Sequence, residues 1–305
     1  MLPLVSICIP AYNQPEKLVF LLNSIRNQSF TSYEVIVSDD SNNDSVEVLC
    51  KEFKDLNIKY LRNTIAKGTP ENWNHAIDAA CGSWIKIMHH DDYFYDTEAL
   101  GNFVAFAEKN PKAEFIFCLT SILYYPSNHR TPYKVDQKLL DAIDQNPAYL
   151  FHQNIIGSPS VTFFRKSDFI RFDTNLKWLV DIEYYHRIAD KKSIGRIDKM
   201  LVETIASDTQ LTQYMQGNPE FELTEFFYCY HKFYGESNRL NKKIWNMRMF
   251  DLMRTYSISD SKQITRFLNG LSMPFTLSMY FLIFKLNKRL ANSIAFRLNK
   301  FNLRD

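Results

Sequence analysis

The chain opens as an alternation between two periods. Val5 to Ile9 is an unbroken apolar run of strand length between Pro3 and Pro10, the pattern of a strand covered on both faces. Leu18, Leu21, Leu22 and Ile25 then recur at i, i+3, i+4 and i+7, which predicts a helix with Asn13 as its N-cap and Pro15 in its first turn. Tyr33 to Ser38 predicts a second strand, and Val46, Leu49, Cys50 and Phe53 a second helix. Ile58 to Leu61 reads as a third strand. Thr69 and Pro70 open a third helix whose apolar face runs through Trp73, Ala76, Ile77 and Ala80, and Trp84 to Met88 is a fourth strand. Strand and helix alternating at this pitch predict a βαβ series, hence an α/β, Rossmann-like and mostly parallel sheet flanked by helices.

Further on, the pattern predicts a helix over Thr97 to Lys109, a strand over Phe115 to Leu123 and a short strand over Val161 to Phe164. Between Tyr124 and Gln153, Pro126, Pro132 and Pro147 break the periodicity, so this stretch reads as a loop or lid with one short helix. Trp178 to Ala189 is again helical, with Asp181 in the first turn. Gly217-Asn218-Pro219 ends the regular pattern and leads into an aromatic helical segment, Phe221 to Tyr234. The expected organisation is an α/β domain over 1–216 and a helical C-terminal extension over 217–305.

Composition changes this picture in three places. Of 305 residues 46% are apolar and 23% charged, which excludes disorder as the main state. Glycine occurs only 8 times and never in close groups, so neither the G-x-G-x-x-G fingerprint nor the phosphate loop G-x-x-x-x-G-K-[ST] is present. A bound nucleotide would have to be held by other chemistry. The 5 cysteines form no C-x-x-C pair, which excludes a zinc knuckle and favours a reducing compartment. The first ten residues carry no basic n-region, so cytoplasmic residence is expected. Net charge is +2, but from Lys262 onward 8 bases face 1 acid, leaving that stretch at +7 and the rest at −5. An acidic body argues against nucleic acid as partner.

Ligands of open α/β sheets bind outside the carboxyl ends of the strands. There, strand one delivers Pro10-Ala11-Tyr12-Asn13, strand two Asp39-Asp40 and strand four His89-His90-Asp91-Asp92. Two readings stand for each acid pair. Either pair can terminate a strand and cap the next helix; together, at two strand ends, they suit a hard divalent cation bridging to phosphate.

Three blocks carry a resemblance. Val-Ser-Ile-Cys-Ile-Pro-Ala-Tyr-Asn at 5–13, Tyr-Glu-Val-Ile-Val-Ser-Asp-Asp-Ser-Asn-Asn-Asp at 33–44 and Gly-Ser-Trp-Ile-Lys-Ile-Met-His-His-Asp-Asp at 82–92 together resemble the family-2 inverting nucleotide-sugar glycosyltransferases of GT-A fold. The resemblance is strong over 3–110 and weaker to about residue 215. It implies a nucleobase pocket lined by Pro10, Ala11 and Tyr12, base or ribose recognition by Asp39 and Asp40, and help from Lys67 and Asn72 in holding the donor. A carboxylate only accepts hydrogen bonds, which suits the imide of uracil or thymine and so a UDP- or dTDP-sugar. It further implies Mn²⁺ or Mg²⁺ held by Asp91 with Asp92 and His89. His89 stands where the family's D-x-D motif has its first acid.

The segment Trp-Leu-Val-Asp-Ile-Glu-Tyr-Tyr-His-Arg-Ile at 178–188 resembles the family's E-D block and implies Asp181 as catalytic base, with Glu183 as runner-up. The other reading of Asp181 is a carboxylate complementing its helix dipole. Gly157-Ser158-Pro159-Ser160 is the expected place for acceptor contacts. A downstream histidine that the family often uses has no counterpart in Ile205-Ala206-Ser207-Asp208-Thr209-Gln210.

Between Arg266 and Lys285 lie 18 uncharged residues, 12 of them apolar, interrupted by Asn269, Gly270 and Pro274. The stretch suits an interfacial helix better than a span, with Leu286, Leu290, Ile294 and Leu298 as a stripe. Peripheral contact of 267–304 with the inner face of the cell membrane, packing on the domain and a homo-oligomer contact remain alternatives. The expected activity is hexosyl transfer from a nucleotide-diphosphate sugar to a hydroxyl of a lipid-linked glycan or surface polysaccharide. The other readings are a catalytically degenerate nucleotide-sugar-binding scaffold and a sugar-phosphate nucleotidyltransferase.

Overall fold

The computed structural model describes residues 3–124, 127–133, 137–190, 193–206, 215, 217–235, 237, 239–286 and 293. Cα packing divides the chain into two compact units. The first comprises Met1–Val135, Ile156–Tyr184 and Lys191–Gln210; the second comprises Asp136–Ile155, Tyr185–Asp190 and Leu211–Asp305.

The first unit is built on a nine-stranded sheet. Its strands are β1 (Val5–Ala11), β2 (Tyr33–Asp39), β3 (Ile58–Arg62), β4 (Trp84–Ile87), β5 (Tyr93–Phe94), β6 (Phe115–Tyr124), β7 (His129–Tyr133), β8 (Thr162–Arg165) and β9 (Ile194–Ala206). They run in the order β3-β2-β1-β4-β8-β6-β9-β5, with β7 beside β6. Helices α1 (Pro15–Arg26), α2 (Ser45–Glu52), α3 (Glu71–Asp78) and α4 (Ala99–Lys109) flank it. All seven residues of β1 are buried, as its apolar run requires of a strand with neighbours on both edges and helices on both faces.

The quartet β3-β2-β1-β4 is parallel, as expected from the alternating pattern. Beyond it the sheet is mixed. Strand β8 is antiparallel to both β4 and β6, β5 is antiparallel to β9, and β6 and β9 run parallel. The 13-residue β9 is the longest strand the periodicity did not predict. Arg196, Asp198, Lys199 and Glu203 interrupt its apolar positions, and its register on β6 shifts around Leu119, so no single alternation runs along it.

Local chemistry moved two helix starts. Asn13 and Gln14 both adopt left-handed backbone (φ 52 and 55), and Gln14, not Asn13, occupies the N-cap of α1. The chain reverses sharply after β1, and an Asn is among the residues that tolerate this conformation. Pro70, not Thr69, caps α3. The 124–153 stretch is more regular than its prolines suggest: it holds β7, then α5 (Gln137–Gln145) and a 3-10 turn at Pro147–Phe151.

Helix α6 (Val180–Ala189) carries Asp181 and Glu183 in its first turn. The second unit contains α7 (Pro219–Phe233), α8 (Arg239–Thr255), α9 (Ser261–Thr265) and α10 (Phe275–Leu286). Its core is aromatic: Trp245 is fully buried, with ring centroids 4.3 Å from Phe151 and 5.8 Å from Phe226. Of the expected stripe Leu286, Leu290, Ile294 and Leu298, the last three lie outside the described residues. No helix among the described residues is long and apolar enough to cross a membrane.

Candidate functional site

Parallel pairing brings the strand-end residues to one edge of the sheet. Ala11 is opposite Asp39, and Asp39 is opposite Arg62. On the other side of β1 the Met88 N–H reaches the Cys8 carbonyl at 2.9 Å, so the His89–Asp92 loop leaves β4 beside the end of β1. Pro10 and Ala11 are buried there, whereas Tyr12 stands 53% exposed, its ring open to a flat ligand.

The two acids at the end of β2 are buried and hydrogen-bonded. Asp39 accepts from the Ser41 N–H (2.8 Å), from the Ser41 hydroxyl and from the Tyr60 hydroxyl (2.7 Å). Burial, with the Asp39 hydrogen bond next, pushes the Tyr60 hydroxyl pKa up. Asp40 Oδ1 accepts from Asn63 Nδ2 (2.8 Å) and the Lys67 N–H (3.0 Å), and its Oδ2 from the Gly68 N–H (2.8 Å). Asp40 therefore clamps the loop after β3. Three donors do not exhaust the roughly four acceptor positions of a carboxylate.

Lys67 reaches Asp40 through its backbone, and its side chain is exposed. Asn72 is buried and serves as a crosslink: its Nδ2 donates to the carbonyls of Ala11 (3.3 Å) and Ser38 (3.0 Å), and its Oδ1 accepts from Asn63 (3.1 Å). Asn63 and Tyr60 contact the candidate site through Asp40 and Asp39, and no sequence motif marked them. Asn63 directly follows β3, so the strand-end rule that singled out the acids points to it as well.

The loop after β4 gathers His89, Asp91 and Asp92, each offering one ligand atom within 4.8 Å of the others. His89 Nε2 is buried without a hydrogen-bond partner, and the His89 ring lies 4.9 Å from that of Trp73. Burial pushes the imidazole pKa down to about 4, which keeps the ring neutral and its lone pair available. Burial, reinforced by Asp91, pushes the Asp92 carboxyl up to about 8. An unpartnered buried nitrogen beside two mutually repelling carboxylates is the donor set of a hard or borderline divalent cation, so these residues fit Mn²⁺ or Mg²⁺.

Ser160 braces this loop. It is fully buried, accepts the His89 N–H at 2.9 Å and hydrogen-bonds the Asp92 carboxylate. Asp92 Oδ1 also accepts the Ile205 N–H from β9 at 3.3 Å. The 157–160 turn, read from sequence as a place for acceptor contacts, thus contributes one serine that holds the acidic loop. Lys86, fully buried in β4, donates to the carbonyls of Ser160 and Thr162. Burial pushes its ammonium down to about 7.

Asp181 is half-buried at the start of α6, and its Oδ1 accepts the adjacent Ile182 N–H at 2.8 Å. Glu183 is fully buried. Of the stretch expected to hold a downstream histidine, Ser207 to Gln210 lie outside the described residues.

A parallel α/β quartet whose strand ends present an exposed aromatic ring, clamped acids and three side chains able to hold a divalent cation suits a GT-A-type fold. Residues 6–171 match the family described as Glycosyl transferase family 2. The chain belongs to that family. The Escherichia coli UDP-Glc:alpha-D-GlcNAc-diphosphoundecaprenol beta-1,3-glucosyltransferase WfgD is 35% identical over 89 residues, covering 29% of this chain and 35% of its own. Staphylococcus aureus TarS 1-349 in complex with UDP-GlcNAc superposes with a TM-score of 0.61 at 20% identity, covering 88% of this chain and 76% of its own. The mannosyltransferase PcManGT from Pyrobaculum calidifontis, in complex with GDP-Man and Mn²⁺, superposes with a TM-score of 0.58 at 12% identity, covering 98% and 84%. At such identities the two structural likenesses concern fold. The matches span 64%, 35% and 32% of the lengths of the first curated relatives.

Proposed function

We propose that this chain is an inverting glycosyltransferase that moves a sugar from a nucleotide diphosphate donor, a UDP- or dTDP-sugar, to a hydroxyl of a lipid-linked or growing surface glycan. The observation that carries the reading is the His89, Asp91 and Asp92 cluster at the strand-end edge of a family-2 chain. The name of the E. coli relative, with its UDP-Glc donor and diphosphoundecaprenol acceptor, and the UDP-GlcNAc complex of TarS support the donor and acceptor classes.

In this reading Asp91, His89 and Asp92 hold a divalent cation, which when bound supplies positive charge for the departing diphosphate. The Tyr12 ring packs on the base. Asp40, kept in place by Asn63, Lys67 and Gly68, accepts from the base imide. Asp181 takes the proton of the attacking acceptor hydroxyl. Asp181 is partly open to solvent, which favours it over the fully buried Glu183 as the base.

The test is transfer from radiolabelled UDP-sugars with and without Mn²⁺. Asp181→Asn is expected to lower kcat by about 10²–10⁴-fold with little change in donor KM, the range of a lost general base. Asp91→Ala is expected to abolish the metal dependence. Full transfer by both folded variants would overturn the mechanism. Donor binding without turnover, tried across nucleotide sugars, would instead leave a nucleotide-sugar-binding scaffold.

A further inference from the structure

Helix α10 has one face packed and one face bare. Leu277 is fully buried, Phe281 is 3% exposed, the Tyr280 ring lies 5.2 Å from that of Phe250, and Thr276 donates to Asn246 at 3.1 Å. These contacts seat the helix on α8. On the other side Phe275, Met279, Leu282 and Leu286, spaced four, three and four residues apart, are exposed by 77%, 40%, 55% and 80%. At 100° per residue the four fall within one narrow stripe. Four large apolar side chains in a row go beyond the scattered surface hydrophobics of an ordinary domain and mark an interaction surface.

The charge of the surrounding sequence selects the partner. Exposed Lys285 lies within the last turn, and Lys288, Arg289, Arg297, Lys300 and Arg304 follow, opposed only by Asp305. The 12 described residues of α10 cover about 18 Å at 1.5 Å per residue, and no helix among the described residues is long and apolar enough to cross a membrane, so a one-sided apolar face suits lying along a surface. Apolar side chains reaching the acyl boundary, with lysines and arginines at phosphate level, fit an anionic lipid surface. A protein groove would match the apolar stripe but offers no reason for the run of bases.

We propose that the Phe275, Met279, Leu282 and Leu286 face of α10 docks on an anionic lipid surface. The proposal does not depend on the glycosyl-transfer reading: the chain would bind lipid whether or not it turns over a sugar nucleotide.

Co-sedimentation of the full chain with vesicles of phosphatidylcholine alone, or of equal parts phosphatidylcholine and phosphatidylglycerol, tests it. Binding is expected with the mixed vesicles, at least tenfold weaker with phosphatidylcholine alone, and weakened severalfold by raised salt. Phe275→Ser combined with Leu282→Ser should lower binding at least tenfold. Ser278→Asp, which places an acid on the exposed side of the helix and removes no apolar contact, should weaken it as well. Both variants keep the wild-type melting temperature and donor hydrolysis in solution, since they touch neither core nor strand-end site.

Equal binding to both vesicle types, or wild-type binding by the double variant, overturns the proposal. So does a concentration-dependent dimer in sedimentation velocity that the double variant abolishes while vesicle binding persists. That result would assign the face to a second copy.

Discussion

Two serines in one turn give the sharpest test of how the acidic loop is held. Ser160 Oγ accepts the His89 N–H at 2.9 Å and donates to the Asp92 carboxylate, whereas Ser158 Oγ is buried with no partner. Ser160→Ala removes the hydrogen bond to Asp92 and orphans a backbone N–H, together a loss of about 2 kcal/mol. Ser158→Ala removes a hydroxyl that gains nothing in the folded state, so its cost should lie within about 0.5 kcal/mol of zero and can be favourable. Urea unfolding of both variants, without added metal, reads the difference as a shift in midpoint at unchanged slope. Mn²⁺ titration reads the site: loss of the group that orients a ligand weakens metal binding by about 10–100-fold for Ser160→Ala and leaves Ser158→Ala at wild-type affinity. Equal stability of the two variants, or wild-type Mn²⁺ affinity in Ser160→Ala, would refute the supporting role of Ser160.

Three further outcomes follow from the same structure. Lys86, whose ammonium burial pushes from 10.5 down to about 7, binds fewer protons folded than unfolded between those values, so its contribution to stability is complete above the unfolded pKa and is lost as pH falls toward 7. Asp92 acts in the opposite sense below about 8, so the diagnostic quantity is the stability of wild type minus that of Lys86→Met, which should rise by about 2 kcal/mol from pH 7 to 9; a flat difference would show that Lys86 is fully charged in the fold. Gly82→Ala would place a Cβ 2.7 Å from Ser6 N and 2.8 Å from Val5 C, backbone atoms of the central strand region that cannot step aside, and should cost about 2–3 kcal/mol in urea unfolding. Tyr12→Ala should raise donor Kd by about tenfold in calorimetry, the scale of one base stacked on an aromatic ring, with kcat little changed.

What the sequence disclosed followed from how directly each feature depends on local pattern. Strand β1 and helix α1 were legible because an apolar run and a 3.6-residue repeat each fix an element by themselves. Strand β9 was not, because it is stabilised by pairing with β6 and β5 across gaps of many residues, and pairing overrides its broken alternation. In the site, the acids of β2 and β4 could be named from their place at strand ends. The hydrogen-bonded state of Asp39 and Asp40 could not, since Tyr60, Asn63 and Lys67 reach them only after the sheet assembles. Ser160 lies where the sequence placed acceptor contacts, yet it serves as a buried brace, and nothing in Gly157-Ser158-Pro159-Ser160 separates a brace from a surface contact until the fold is in hand.

The Asn63 and Asn72 pair, joined to each other and to the carbonyls of Ala11 and Ser38, acts as a bracket across strand ends that have run out of neighbours. Both amides are buried and hydrogen-bonded, so they link the strand ends directly. The strand-end edge is therefore held in place by the fold itself. In the proposed function, the entropy that a mobile loop would surrender on donor binding is therefore already lost during folding.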